Sequence, residues 1–266
     1  MDLWHLTVAS EGRQVLFPSE EGRRAAVRVL ARVAGAEALL FCVVDDHLHL
    51  VVASERARIG WLGRALVLGL RPIAAAAVEG ARVRPVESRS HLESLVGYVL
   101  SQTGHHGLTE HPALWTGSCF QDLVGARWLP PLRVRERLAA DLPRLSRDAV
   151  HQAVGLSGRP FVAADDAALR RGGAGRLVAA AAAALALPPG FAGKGAPLVL
   201  ARRAVAWLGV GCGLTSGDLG FALGVTPRAI RSLLAAAPPD ELLRAVRRRH
   251  ALVETLTGAP LPPVRP

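Results

Sequence analysis

Two histidines separated by a single residue, His47 and His49, are the first side chains that could carry chemistry. They begin a run of alternating and then apolar residues that ends near Ala53, and this pattern predicts a β-strand. Alternate side chains of a strand point to the same face, so the two imidazoles should project together. Two adjacent imidazoles form half of a metal site. Taken alone, however, such a pair is more often ordinary polar surface.

Tyr98, the only tyrosine of the chain, is the second candidate. Gln102 follows it by four residues, in a segment whose Leu92, Leu95 and Val99 have helical spacing. Residues four apart share one face of a helix, so a phenol and a carboxamide would lie side by side. Taken alone, this pair is better explained as a half-exposed tyrosine beside a surface glutamine.

The elements around these residues follow the order β-α-β-β-α-β, which is the ferredoxin-like order of an α+β fold. The first and third strands are central neighbours in that order, so the histidine strand should lie inside an antiparallel sheet. Ser19 is placed to cap the first helix, and Ser90 to cap a further helix that carries Tyr98. The predicted strands span 3–8, 38–44, 47–53 and 82–87, and the predicted helices span 20–35, 59–77 and 90–99.

The end of the chain has the pattern of an all-α helix-turn-helix domain. A helix over 198–210 precedes a short helix that begins at Thr215, in a capping box with Asp218. After a Gly-Val turn, Thr226 is placed to cap a second short helix. A closing helix is predicted over 240–256.

Six arginines of this tail are candidates for DNA contacts. Two on the second short helix would meet base edges or phosphates in the major groove, and four on the closing helix would contact phosphates. They are Arg228 and Arg231, followed by Arg244, Arg247, Arg248 and Arg249. The alternative is a solvated basic face without a ligand.

The charge of the chain favours a polyanion as its partner. The net charge is +10, and residues 1–130 contain 13 arginines and 13 acidic residues, so the excess lies in 131–266. No apolar run is long enough to span a bilayer and we find no signal peptide, so we expect a cytoplasmic protein without a membrane partner. The three cysteines have neither zinc-site nor disulfide spacing and should be buried thiols.

The combination of a His-hydrophobic-His strand with a helical tyrosine about fifty residues later resembles the single-tyrosine HUH transposases. The likeness is greatest to the REP-associated tyrosine transposases. His5-Leu-Thr is similar to the first strand of that family, and residues 41–52 are similar to its strand-turn-strand. The segment from Tyr98 to Gly125 also follows the family pattern. The resemblance covers about residues 3–127 well and about 198–250 loosely.

This resemblance implies a single-stranded DNA endonuclease and strand transferase. A divalent metal, Mg²⁺ or Mn²⁺, would be bound by His47, His49 and Gln102. Tyr98 would be the nucleophile and would form a 5′-phosphotyrosine with single-stranded DNA near a hairpin, while the tail binds duplex DNA. His5 would either approach the metal from the adjacent strand or be an ordinary core histidine.

Three interpretations remain open. An active transposase is favoured by the four intact site residues. A domesticated DNA-binding protein, catalytically altered or inactive, is favoured by the neutral first half, the short segment before Tyr98, and Asp46 where the family usually has asparagine. A two-histidine phosphoesterase of another fold would leave Tyr98 without a role. Monomer and homodimer are both open.

The predicted domain organisation has four parts. They are a transposase-like domain at 1–128, a helical connector and low-complexity linker at 129–197, a helix-turn-helix domain at 198–258 and a flexible tail at 259–266.

Overall fold

A computed structural model describes residues 2–105, 110–156, 162–191 and 193–257. Contacts divide the chain into two compact units. The first contains residues 1–123 and 130–159, and the second contains residues 124–129 and 160–259. The predicted flexible tail at 259–266 lies outside the described residues.

The first unit is an α+β structure built on one four-stranded antiparallel sheet. Its strands are β1 (Asp2–Ala9), β2 (Ala38–Val43), β3 (His47–Ser54) and β4 (Arg82–Pro85). Its helices are α1 (Glu20–Ala34), α2 (Arg56–Leu70), α3 (Arg89–Leu100), α4 (Gln102–His105), α5 (Phe120–Leu123), α6 (Val134–Asp141) and α7 (Arg147–Ala153). The strands lie in the order β2-β3-β1-β4, so the first and third strands are the central pair, as the sequence predicts.

The pairing of β1 with β3 determines which side chains share a face of the sheet. Thr7 lies opposite His49, and His5 lies opposite Val51. Directly opposed residues of an antiparallel pair point to the same side. His5, Thr7, His47 and His49 therefore share one side, which we call the front face.

The opposite side, the back face, packs on α1 and α2. Leu6 of β1 is fully buried there. A methyl group added at Gly63 of α2 would lie 3.8 Å from the side chain of Leu6. A methyl group added at Gly69 would lie only 2.6 Å from Val29 of α1, so glycine allows the two helices to approach closely.

Two element ends lie near prolines and differ from the prediction. The predicted helix over 59–77 is wrong beyond Leu70, where α2 ends two residues before Pro72. Proline cannot donate to the helical ladder, and its ring clashes with the preceding turn. The predicted strand over 82–87 ends instead at Pro85, although the backbone N–H of Val86 still donates to the Leu3 carbonyl at 2.8 Å.

The helix that carries Tyr98 begins and ends differently from the prediction. Ser88, not Ser90, is its N-cap, and the Ser88 hydroxyl accepts a hydrogen bond from the backbone of the first turn at 3.1 Å. At the other end Ser101, with φ −90° and ψ 0°, separates α3 from α4. Tyr98 and Gln102 therefore lie on two helices that meet at Ser101.

The second unit is helical in its described part. Its helices are α8 (Asp166–Ala184), α9 (Ala196–Gly211), α10 (Ser216–Leu223), α11 (Pro227–Leu233) and α12 (Asp240–Leu256). α8 contacts α9, α10 and α12, and it bends at Gly173, which has φ 73°. The segment 129–197, predicted as a connector, supplies α6 and α7 to the first unit and α8 to the second.

The cysteines agree with the sequence prediction. Cys42, Cys119 and Cys212 are free and buried. Across the described ranges, no helix is both long enough and apolar enough to cross a membrane.

Candidate functional site

Three histidines and one aspartate form a continuous chain of hydrogen bonds on the front face. The Asp46 carboxylate lies 2.6 Å from Nδ1 of His47. Nε2 of His47 lies 2.9 Å from Nε2 of His49. Nδ1 of His49 lies 3.0 Å from Nε2 of His5. His5 therefore joins the two histidines that the sequence singles out, through the register of β1 on β3.

The positions of the hydrogens follow from the aspartate end of this chain. A carboxylate only accepts, so Nδ1 of His47 carries a hydrogen and Nε2 of His47 holds a lone pair. A lone pair on Nε2 of His49 would be repelled at 2.9 Å. The two rings therefore need either one shared hydrogen or one shared cation between them.

The geometry at this point suits a divalent cation. Neighbouring ligands of an octahedral ion, with bonds of about 2.1 Å, lie about 3.0 Å apart. The observed separation of the two Nε2 atoms, on His47 and His49, is 2.9 Å. A carboxylate on the other ring nitrogen, as Asp46 provides, is the usual partner of a metal-binding imidazole. A divalent metal bound here would be held by His47 and His49, and one hydrogen shared between the two nitrogens gives the same separation.

Among the described residues, a third protein ligand for such a metal would have to come from a side chain other than His, Cys, Asp or Glu. Within the described ranges, no group of three or more His, Cys, Asp or Glu side chains is arranged to hold a metal ion. Gln102 offers a carboxamide oxygen. Its side chain is almost fully buried, and its Nε2 donates to the backbone carbonyl of Tyr98 at 3.1 Å. Among the described residues, no hydrogen bond occupies the oxygen of Gln102 or joins it to either histidine.

Tyr98 lies on the same face of the sheet as the histidines. Its ring centroid is 5.2 Å from that of His49, in an edge-to-face arrangement. The tyrosine is 45% exposed, whereas His49 is 4% exposed. The ring of Tyr98 is therefore accessible from solvent, whereas the imidazoles of His47 and His49 are buried.

The surroundings of His5 favour its neutral form. Burial lowers the pKa of the His5 imidazole, and the nearby positive charges of His91 and Arg84 lower that pKa further. A neutral imidazole can donate with one nitrogen and accept with the other. His5 can therefore serve as the hydrogen-bond partner that orients His49.

In the second unit, α10 and α11 meet at a tight turn. The predicted capping box of Thr215 and Asp218 forms at the start of α10, and Thr226 caps α11 as predicted. Gly224 ends α10 with φ 61°, in the left-handed region. A methyl group added at Gly220 would lie 2.7 Å from the carbonyl oxygen of Val225, so the turn packs directly on α10.

The six predicted DNA-contacting arginines fall into two groups. Arg228 and Arg231 are exposed on α11, and Arg244 is exposed on α12 beside Glu241 at 3.1 Å. The other three are engaged within the second unit or buried. They are Arg247, 2.6 Å from Asp166, Arg248, which donates to the Val124 carbonyl at 3.3 Å, and Arg249, which is 7% exposed.

Two residues of the site are ones whose roles the sequence does not reveal. Asp46 is noted only as a departure from the asparagine of the resembling family, and the structure places it against His47. The sequence signal for this role of Asp46 is its position directly before His47, a candidate metal ligand. Arg84 gives no signal of its own, because its place beside His5 depends on the pairing of β1 with β4.

Comparisons of the chain with protein-family models, with curated proteins and with solved structures find no match.

Proposed function

We propose that the first unit is a metal-dependent single-stranded DNA endonuclease and strand transferase of the HUH transposase type. One observation carries this proposal. Two imidazole nitrogens, on His47 and His49, converge to 2.9 Å, and the ring of the only tyrosine lies 5.2 Å from His49. A pair of possible metal ligands beside an exposed phenol would serve metal-assisted nucleophilic phosphoryl transfer by a tyrosine.

In this reaction the phenol oxygen of Tyr98 attacks a backbone phosphorus atom. The bond between phosphorus and the 3′ oxygen breaks, the phenol loses its proton, and the 3′ oxygen gains one to become a hydroxyl. The 5′-phosphotyrosine bond retains the energy of the broken phosphodiester, so the hydroxyl of another strand can reverse the step without ATP. A divalent cation bound at the site supplies stabilisation of the charge that develops on the phosphate.

The surrounding residues position this chemistry. Asp46 orients His47, and His5 orients His49, each through the ring nitrogen that does not face the other imidazole. The side chain of Gln102 donates a hydrogen bond to the backbone carbonyl of Tyr98. This bond fixes the position of the proposed third metal ligand relative to the proposed nucleophile. In-line attack requires a flexible backbone at the cleaved phosphate, and this favours single-stranded DNA, with hairpin feet as the expected sites.

We propose that the second unit binds duplex DNA as a helix-turn-helix module. The tight turn between α10 and α11 and the exposure of Arg228 and Arg231 on α11 support this function. Arg244 would add a phosphate contact. Phosphate contacts by Arg247, Arg248 and Arg249 stay a prediction, and each would have to coexist with the packing of α12.

Covalent adduct formation tests the catalytic proposal. The full chain is incubated with Mn²⁺ and an end-labelled single-stranded hairpin oligonucleotide, and the products are separated under denaturing conditions. Wild type should form a labelled protein–DNA adduct, whereas Tyr98→Phe and the double variant His47→Ala, His49→Ala should not. The phenylalanine keeps the ring that contacts His49, so folding should be unchanged, and circular dichroism checks this.

The alternative functions give different results in the same assay. If wild type forms no adduct but binds duplex DNA through Arg228 and Arg231, the chain is a DNA-binding protein on a nuclease-like scaffold. If Tyr98→Phe still cleaves the oligonucleotide, water is the nucleophile, and metal-dependent hydrolysis replaces strand transfer.

A further inference from the structure

Half of the front face is open beside the histidines. α3 packs on β2, one edge of the sheet, where β2 and β3 are buried throughout. The front-facing residues of β1 are only half-buried, and all four residues of β4 are exposed. The front side of β1 and β4 therefore forms a shelf, and the chain of histidines runs along its inner margin.

Two arginines stand on this shelf. Arg84 lies opposite His5, and Arg82 lies opposite Thr7, so both point to the front face. Val83, between them, lies opposite Leu6 and lines a groove with α2 on the back face. The alternation of β4 thus places its two cations on the side of the sheet that carries the candidate site.

The two arginines differ in their partners. Arg82 forms an exposed ion pair with Glu79 at 3.0 Å. Arg84 is exposed and forms no ion pair with any residue in the described ranges. Arg84 faces the site through its place opposite His5 in the pairing of β1 with β4. His5 in turn contacts His49, whose ring meets Tyr98.

We propose that this shelf is the path of the substrate strand, and that Arg84 binds a backbone phosphate of single-stranded DNA beside the cleaved one. This inference rests on the proposed function. A guanidinium presents paired N–H donors that match a phosphate, and it does so without reading the base. Residues 1–130 contain equal numbers of arginines and acidic residues, but the charged residues of β4 itself are both arginines.

We expect a single strand rather than a duplex on the shelf, because the proposed in-line attack by Tyr98 requires a flexible backbone at the cleaved phosphate. A strand held by Arg84 passes His5 and continues to the phenol of Tyr98, which is 45% exposed. The contact is to the backbone, so it should be independent of base sequence and sensitive to salt.

Binding of a fluorescent single-stranded oligonucleotide, measured by anisotropy with EDTA and without metal, tests this inference. The full chain carries Arg228→Ala and Arg231→Ala throughout, to reduce binding by the second unit. Arg84→Ala should weaken binding about tenfold. It should also reduce the slope of log affinity against log salt by about 0.7, the loss of one phosphate contact. Arg84→Lys should retain most of the affinity.

Arg64→Ala is the matched control. Arg64 is an exposed arginine of α2 that lines the back-face groove with Val83, so its removal changes the net charge equally on the wrong side of the sheet. Equal affinities and equal salt slopes for Arg84→Ala and Arg64→Ala overturn the inference. Equal losses of single-strand and duplex binding in Arg84→Ala overturn the single-strand assignment.

The inference and the proposed function fail separately. If wild type forms no covalent adduct while Arg84→Ala still weakens single-strand binding selectively, the nuclease proposal is wrong and the strand path stands. If the adduct forms through Tyr98 but Arg84→Ala matches its control, the strand path is wrong and the nuclease proposal stands.

Discussion

Replacement of Asp46 tests whether the paired imidazoles form a metal site. The Asp46→Ala substitution removes the 2.6 Å hydrogen bond to Nδ1 of His47, and it leaves that N–H without its acceptor in a ring that is 8% exposed. His47 then loses both its fixed hydrogen position and its fixed orientation. We expect Mn²⁺ to bind more weakly for this reason alone, because no proposed ligand is changed.

The size of this loss follows from the role of such partners. Removing the hydrogen-bond partner of a metal-binding imidazole costs about 10–100-fold in metal affinity, which is about 1.4–2.7 kcal/mol. The bond is short and charge-assisted, which places the expectation in the upper part of that range. Asp46→Asn keeps an acceptor oxygen without the charge, so its loss should be smaller than that of Asp46→Ala.

Mn²⁺ binding by calorimetry, with electron paramagnetic resonance as a second readout, measures the effect. Arg13→Ala is the control. The guanidinium of Arg13 lies 3.6 Å from the other oxygen of Asp46 and is 81% exposed, so its removal leaves the bond to His47 intact. An exposed ion pair of this kind contributes little, and the control should change the affinity by less than about fivefold. Wild-type affinity in a folded Asp46→Ala variant would refute the assignment of His47 as a ligand.

Three further predictions concern packing, pH and DNA. A methyl group at Gly117 would clash with the carbonyl oxygen of Val43. Gly117→Ala should therefore lower the free energy of unfolding by about 1–3 kcal/mol, measured by urea titration. An unchanged urea midpoint would contradict this close approach. Burial lowers the pKa of His250 below its ordinary 6.5, so the unfolded chain binds the proton more readily and stability should fall as the pH drops below that value. His250→Leu should flatten this dependence in pH-dependent urea unfolding, and an equally steep dependence would refute the cause. Finally, Arg228→Ala with Arg231→Ala should weaken duplex binding and reduce its salt slope by about 1.8 in gel-shift titrations, and an unchanged slope would exclude α11 as the contact.

Local sequence signals predict much of the fold. The polar caps Ser19, Thr215 and Thr226 identify helix starts correctly, because an N-cap depends on residues within one turn. The order of elements also predicts the central pair of strands. Where two caps compete within three residues, as Ser88 and Ser90 do, composition alone does not decide between them.

The candidate site is only partly predictable, because its geometry depends on long-range pairing. The spacing of His47 and His49 predicts a shared face, which the pairing of β3 confirms. The contact of His5 with His49 spans 44 residues and exists only in the register that the two strands adopt. The same holds for Arg84, whose exposure and orientation follow from its place opposite His5 on an edge strand.

Long-range contacts also explain why the tail is harder to interpret from sequence. The basic run over residues 247–249, in the middle of α12, favours a phosphate-binding surface. Arg247 instead meets Asp166, which lies 81 residues away in the first turn of α8. No local pattern distinguishes an arginine that packs against a distant helix from one that faces solvent.

Mapping of the covalent link decides whether the phenol of Tyr98 attacks DNA, as we propose. Because the chain contains one tyrosine, a 5′-phosphotyrosine can form at only one residue. Wild-type protein is incubated with Mn²⁺ and a single-stranded hairpin oligonucleotide, digested with nuclease and protease, and analysed by mass spectrometry. We expect a peptide that carries one nucleotide on Tyr98. A nucleotide attached to any other residue, or cleaved DNA with no attached peptide, would contradict it.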